Sequence, residues 1–207
     1  MRSRALRAAA WVSAGVHAAG LGAALLLMRE GTPLVPVEER VAYLREHGAR
    51  WQAGWVVWIG CALALLVFAV LLARRIRKPL GWAGLAAVVV AAVVDLSCDV
   101  MYATGFLDAA RGEREPFLAL ERALGFASVT VGNGLYTASV LLFTLALRGE
   151  PLPRFTRAAA MGCVIARTAM AVAGVFGSAE GLAAATGPTI GLFGAWSLLV
   201  AHGLERS

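Results

Sequence analysis

Four ionisable side chains stand inside long apolar stretches of this 207-residue chain: His17, Asp95, Asp99 and Arg167. An ionisable group in an apolar environment is costly, so proteins retain it where it pairs, carries protons or binds a ligand. Carboxylates beside a histidine and an arginine, with one exchangeable proton among them, have the composition of a proton relay or a polar binding site. These four residues are therefore the first candidates for function.

Two stripes of polar and aromatic side chains accompany these groups. The first stripe consists of Asp95, Cys98, Asp99, Tyr102 and Phe106, and the second of Thr130, Asn133, Tyr136 and Thr137. Their intervals of three and four residues place each set on one face of a helix. Both faces are predicted to point into a helical bundle. Gly132 and Gly134, on either side of Asn133, predict a close backbone approach or a bend there.

Arg167 is predicted to need an acidic partner, because a guanidinium stays charged even when it is buried. Asp95 lies at a matching depth in its apolar stretch and is the expected partner, with Asp99 as the alternative. The carboxyl group left over is then either protonated or paired with a protonated His17. Such a cluster can relay protons or hold a substrate, or it can simply fix the helix register.

Six apolar stretches must position these residues, and each has the roughly 20 residues that cross about 30 Å of hydrocarbon. They cover 6–28, 51–73, 81–106, 124–147, 158–177 and 184–203. Hydrophobic residues make up 59% of the chain and charged residues 15%, whereas soluble domains have about 45–50% and 25%. The sequence therefore predicts an all-α integral membrane protein, a bundle of six transmembrane helices forming a single polytopic membrane domain over 1–207.

The positive charges predict the orientation of this bundle. With the N-terminus in the cytoplasm, the inner segments hold eleven Arg and Lys residues and the outer segments hold seven. Positive charge favours the cytoplasmic side, so both termini are predicted to be cytoplasmic. The Ala-, Arg- and Gly-rich, Lys-poor usage is typical of a high-GC bacterial genome, and it favours the inner (cytoplasmic) membrane.

The outer segment 29–50 is predicted to contain a short amphipathic helix. Val37, Val41 and Leu44 recur at helical spacing among charged residues, after Pro33 and Pro36. Such a helix either forms a lid that packs on the bundle or binds a protein partner.

Three tryptophans follow this segment at helical spacing, Trp51, Trp55 and Trp58. They are interpreted as an aromatic belt at the membrane interface rather than as the wall of a ligand groove.

Several kinds of site are missing from the sequence. It contains no zinc, nucleotide-binding or hydrolase motif and no pair of histidines spaced to hold a haem or a metal. We therefore expect no cofactor, no metal and no nucleic-acid partner. Cys61, Cys98 and Cys163 are predicted to be buried free thiols, and Cys98, one turn from Asp95, is the expected probe of water access to the polar cluster.

Two segments resemble small bacterial multi-spanning membrane proteins: VEERVAYLREHGARWQAGWVVW, at 37–58, and VGNGLYTASVLL, at 131–142. The resemblance covers less than a fifth of the chain and implies no particular activity.

Three functions remain open at this point. The first is a proton-coupled transporter or permease, in which Asp95 and Asp99 couple protons to a small-molecule or ion substrate. Arg167 is then the counter-ion or anion clamp, His17 the proton partner, and Asn133 and Tyr136 orient the substrate. The second is a non-catalytic subunit, sensor or scaffold with a structural polar cluster. The third is an intramembrane lipid-modifying enzyme with either aspartate as acid or base. All three place the chain in a lipid bilayer, and none predicts an oligomeric state.

Overall fold

The computed structural model describes residues 2–206, with side chains over 4–205, and this part of the chain is helical without strands. Its α-helices are α1 (Arg2–Ala23), α2 (Val37–Glu46), α3 (Gly48–Ile76), α4 (Pro79–Ala103), α5 (Gly105–Arg111), α6 (Arg114–Gly125), α7 (Asn133–Ala146), α8 (Thr156–Val175) and α9 (Ala179–Arg206). A π-helical segment, Ala24–Met28, extends α1, and a second one, Phe126–Gly132, joins α6 to α7.

Six helical stretches are long and apolar enough to cross a membrane, which confirms the predicted number and fits a multi-pass membrane protein. The fourth stretch is longer than predicted, because α6, the π-helical segment and α7 form one run over Arg114–Ala146. Hydropathy marked only its apolar part. The preceding α6 lies outside the predicted stretch because it is amphipathic, with charged residues among its apolar ones.

The six long helical stretches form a closed ring in chain order. The helices α1, α3, α4, α7, α8 and α9 each pack against the next one, and α9 packs back against α1. Short connections favour such packing between consecutive antiparallel helices. In this ring, α7 lies between α4 and α8. The helices that carry Asp95 and Arg167 are therefore second neighbours, each packed on α7.

The outside of the ring is apolar. Large hydrophobic side chains such as Val56, Val93, Ile165 and Trp11 are about half to two thirds exposed. Few soluble proteins display so much apolar surface, whereas a lipid-facing helix must. In contrast, His17, Asp99 and Arg167 are buried.

The two ends of the bundle differ in structure. One end, the cap, consists of α2, α5 and the first turns of α6, and it covers the start of α3 and the end of α4. The other, the basic end, carries the start of α1, the end of α9 and the connections at 74–78 and 147–157. Between the middle and the basic end, the ring is filled by a tight core that includes Phe68, Leu72, Phe143, Phe193 and Trp196.

The predicted amphipathic helix exists as α2, and it packs on the bundle. Arg40 is 5% exposed and forms an ion pair with Glu121 of α6. Tyr43 donates its hydroxyl hydrogen to the carbonyl oxygen of Leu27, and burial raises the pKa of this phenol. These contacts hold α2 down as a lid. The burial of Arg40 was not predicted, because its partner lies 81 residues away in sequence.

We predict that Glu121→Gln lowers the free energy of unfolding by about 3 kcal/mol or more, because it leaves the Arg40 guanidinium buried without its partner. The control is Glu38→Gln, which breaks the Arg114–Glu38 ion pair between the same two helices, whose side chains are 65% and 68% exposed. Exposed pairs contribute about 0–1 kcal/mol. Thermal unfolding in detergent measures both variants, and equal losses would contradict this description of the cap.

Candidate functional site

A cavity of about 300 Å³ occupies the centre of the ring, from mid-bundle to the cap. All six long helical stretches contribute to its wall. Its polar and ionisable lining residues are His17, Thr32, Trp51, Trp55, Trp58, Cys61, Asp95, Asp99, Ser128, Asn133, Tyr136, Arg167, Thr186 and Thr189. The ring therefore brings every residue of the predicted site, from all four helices that carry them, to the wall of one cavity.

Asp95 is held by two hydroxyl groups from the fourth span. Ser128 Oγ donates a hydrogen bond to Asp95 Oδ1 at 2.7 Å, and the Tyr136 hydroxyl donates to Oδ2 at 3.4 Å. Both donors stabilise an ionised carboxylate, which can only accept. Asp95 is thus a fixed element of the wall with both oxygens occupied.

Arg167 is held by an amide and two aromatic rings. Its Nη1 donates to Asn133 Oδ1 at 3.0 Å. Its Cζ lies 5.4 Å from the ring centroid of Tyr136 and 5.4 Å from that of Phe193, within the range of cation–π attraction. The residue is 4% exposed, so these neighbours replace water around the guanidinium.

The expected direct ion pair between Asp95 and Arg167 is not formed, and that prediction is wrong. Within 4–205, the ion pairs with N···O of 4.0 Å or less join other side chains. The physical reason is the position of α7 between α4 and α8. Tyr136 on α7 connects the two charges instead, because it donates its hydroxyl hydrogen to Asp95 and its ring contacts Arg167.

Asp99 is the second carboxyl group of the cluster. Neither of its two predicted partners, Arg167 and His17, forms an ion pair with it. It is 3% exposed, and its Oδ2 has no hydrogen-bond partner. His17 is occupied elsewhere, since its Nδ1 bonds to the Ser13 carbonyl oxygen at 2.7 Å and its ring packs on Phe193. A carbonyl oxygen only accepts, so Nδ1 carries the hydrogen and a neutral ring keeps Nε2 as an acceptor.

Three other residues of the cavity wall also have a polar atom without a hydrogen-bond partner. Trp55 Nε1, Thr189 Oγ1 and Arg167 Nε are buried and unpaired within the protein. An unmade hydrogen bond of a buried group costs about 1–3 kcal/mol, so water or a polar guest in the cavity would stabilise these groups.

The tryptophans of α3 form an inner wall, not an interfacial belt. Trp51 is 2% exposed, and its Nε1 donates to the Tyr102 carbonyl oxygen at 2.8 Å. Trp55 stacks on the Tyr102 ring with centroids 4.4 Å apart and planes 3° from parallel. The belt interpretation is wrong because spacing defines a shared face without saying where it points; here it points to α4 and the cavity.

The π-helical segment Phe126–Gly132 explains why the sequence did not reveal Ser128. In an α-helix of 3.6 residues per turn, Ser128 and Asn133 point about 140° apart. A segment with i→i+5 hydrogen bonds holds more residues per turn, so both side chains reach the same cavity. Regular α-helical spacing therefore finds Asn133 and Tyr136 but misses the donor closest to Asp95.

Other predicted members of the polar stripes lie off the cavity. Thr130 donates to the Ala171 carbonyl oxygen of α8 at 3.3 Å, and Thr137 bonds back to its own helix. Cys98 is buried in the cluster of apolar side chains beneath the cap, whereas Cys61 lines the cavity. Cys61, not Cys98, is thus the native thiol at the site.

No family model, curated protein or solved structure matches the chain. Within the described residues, no group of three or more His, Cys, Asp or Glu side chains could hold a metal ion.

Of the two alternatives predicted around Gly132 and Gly134, the irregular helix is present as the π-helical segment that ends at Gly132, whereas the close approach occurs at Gly174 of α8. A Cβ at Gly174 would lie 2.7 Å from Thr130 Oγ1 and 3.0 Å from Val129 Cγ1, whereas one at Gly134 meets no atom within 4 Å. The contact presses α8 on the π-helical segment that presents Ser128.

We predict that Gly174→Ala lowers the free energy of unfolding by about 1–3 kcal/mol, because the methyl group overpacks this contact. Gly134→Ala is the control, and it should raise stability by roughly 0.5–1 kcal/mol through helix propensity alone. Thermal unfolding of the two purified variants makes the comparison. A Gly174→Ala protein as stable as the control would show that the helices are not closely packed there.

Proposed function

We propose that this chain is a small transporter or permease that binds a polar small molecule in the central cavity. The observation that carries the proposal is the unpaired Asp99 on a cavity wall to which every long helical stretch contributes. A volume of about 300 Å³ is at the lower end of the range for small-molecule sites. The substrate is therefore small.

The shape of the cavity supports access from one side at a time. Towards the cap it extends to Met28, Thr32 and Trp51. Towards the basic end it stops at Leu65, and beyond it lies a packed core with a void of about 10 Å³, the size of a single water probe. A cavity that is closed off on one side supports the proposal, because a carrier that works by alternating access exposes its site to one side at a time.

The charge distribution supplies the orientation for this proposal. The arginines and the lysine of the basic end belong on the cytoplasmic side by the positive-inside rule. In the proposed orientation, in a bacterial inner membrane, the cavity lies on the outer side of the packed core, beneath the cap. Asp99 is the substrate-binding carboxylate, and Asp95 with Arg167 forms the fixed charge pair. His17, through Nε2, is the group at the same depth that exchanges protons during coupling.

The scaffold hypothesis has less support. It requires a polar cluster whose members satisfy one another, and here Asp99, Trp55 and Thr189 keep unpaired atoms on the cavity wall. A protein partner at 29–50 stays a prediction, since the outward face of α2 is charged and exposed. The lipid-modifying enzyme has no observation in its favour.

We predict that water enters the cavity from the cap and stops at its floor. In a background with all three native cysteines changed to Ser, Thr189→Cys should react quickly with a small membrane-impermeant thiol reagent added outside spheroplasts. Ser197→Cys is the matched control: it lies on the same helix, about 12 Å nearer the basic end, and is similarly buried (0% exposed against 4% for Thr189). It does not line the cavity, so it should react only after denaturation. No reaction at Thr189→Cys, or equal reaction at both sites, would contradict the proposal.

A further inference from the structure

The cavity wall has two aspartates but one arginine, so one carboxyl group has no charged partner. Asp95 and Arg167 compensate each other through Tyr136, which contacts both. His17 donates its Nδ1 hydrogen to the Ser13 carbonyl oxygen and forms no ion pair among the described residues. Asp99 is left with no ion-pair partner among the described residues and no hydrogen bond to Oδ2. The surplus group of this site is therefore a carboxyl group without a partner, which holds a proton in the empty cavity and is complementary to a cation that replaces this proton.

The wall around Asp99 is aromatic. Trp51 packs on Phe106 with centroids 5.8 Å apart, and Trp55 stacks on Tyr102. Because α3 and α4 are antiparallel neighbours, the register of these two ring pairs places Trp58 at the level of Asp99. Trp55, Trp58 and Asp99 all line the same cavity.

A carboxylate beside indole rings is suited to a particular kind of cation. Indoles attract cations through their ring faces and favour large, weakly hydrated ones, such as alkylated ammonium groups. A bare metal ion prefers several oxygen ligands, and no group of three or more His, Cys, Asp or Glu side chains among the described residues could hold one. The unpaired Nε1 of Trp55 adds one donor for a hydroxyl or ether oxygen of the guest.

We propose that the cavity binds an organic cation of the alkylammonium class, with its charge on Asp99 and its alkyl groups against Trp55 and Trp58. This inference rests on the proposed function, because it names the substrate class of the same cavity. It assigns Asp99 and the tryptophans as specificity-determining residues. Asp95, Ser128 and Tyr136 have a different task, which is to keep Arg167 neutralised so that the cavity attracts cations.

The test uses protection of Thr189→Cys from the thiol reagent, with choline as the probe. The uncharged 3,3-dimethyl-1-butanol has the same shape as choline, and glycine betaine carries an added carboxylate. Choline should slow labelling, and at equal concentration the alcohol should protect at least about tenfold less, because it lacks the positive charge that the Asp99 carboxylate attracts at close range. Betaine should also protect less than choline.

Asp99→Asn in the same background should abolish the advantage of choline over the alcohol, because it removes the charge and keeps the shape. Asp108→Asn is its control, since that carboxylate is exposed outside the cavity. Trp55→Leu should weaken protection by choline, whereas Trp11→Leu, on the exposed side of α1, should not. Purified protein with Asp99 intact should also gain thermal stability with choline by mass action.

The outcomes separate the two proposals. If Thr189→Cys is never labelled, the proposed function is wrong, and the cation site fails with it. If labelling is fast but choline and the alcohol protect equally, or Asp99→Asn leaves the choline advantage intact, the cavity is accessible and the cation inference alone is overturned. Stronger protection by betaine than by choline would also overturn it, in favour of a zwitterion site centred on Arg167.

Discussion

Compensation of the buried Arg167 guanidinium is the constraint on which the other features of the cavity depend. The side chain cannot lose its charge, it is 4% exposed, and no carboxylate within 4–205 forms an ion pair with it. Tyr136 resolves this by contacting the guanidinium with its ring and Asp95 with its hydroxyl. Asn133 supplies a direct hydrogen bond. One helix, α7, thus connects two charges that cannot meet.

The order of the helices in the ring explains why this indirect pairing leaves a cavity at the centre. If α4 and α8 were neighbours, the aspartates and the arginine would be expected to close into a compact ion cluster, leaving little space. With α7 between them, the charges lie on different parts of one wall and a cavity of about 300 Å³ remains at the centre. The packed core towards the basic end closes that cavity on one side. The same spacing that prevents the ion pair therefore creates the proposed binding site.

Composition and helical periodicity were sufficient to predict the six spans and the inward-facing stripes, because both depend on local sequence alone. They could not predict the lateral order of the helices, which separates Asp95 from Arg167. They also missed Ser128, because a π-helical segment changes the angular spacing of side chains. The interpretation of Trp51 was wrong for a related reason: spacing assigns residues to one face, and only packing decides what that face contacts.

The most direct test of this account compares the stabilities of Asp95→Asn and Asp99→Asn, two isosteric changes one helical turn apart. Thermal unfolding of both proteins without ligand, in the same detergent, is the measurement. Asp95→Asn should lower the free energy of unfolding by on the order of 3 kcal/mol, because it leaves Arg167 uncompensated. Asp99→Asn should not lower it, because it removes a buried group that has no partner. Equal losses, or a larger loss at Asp99, would contradict the division of the two carboxylates into a structural and a ligand-binding group.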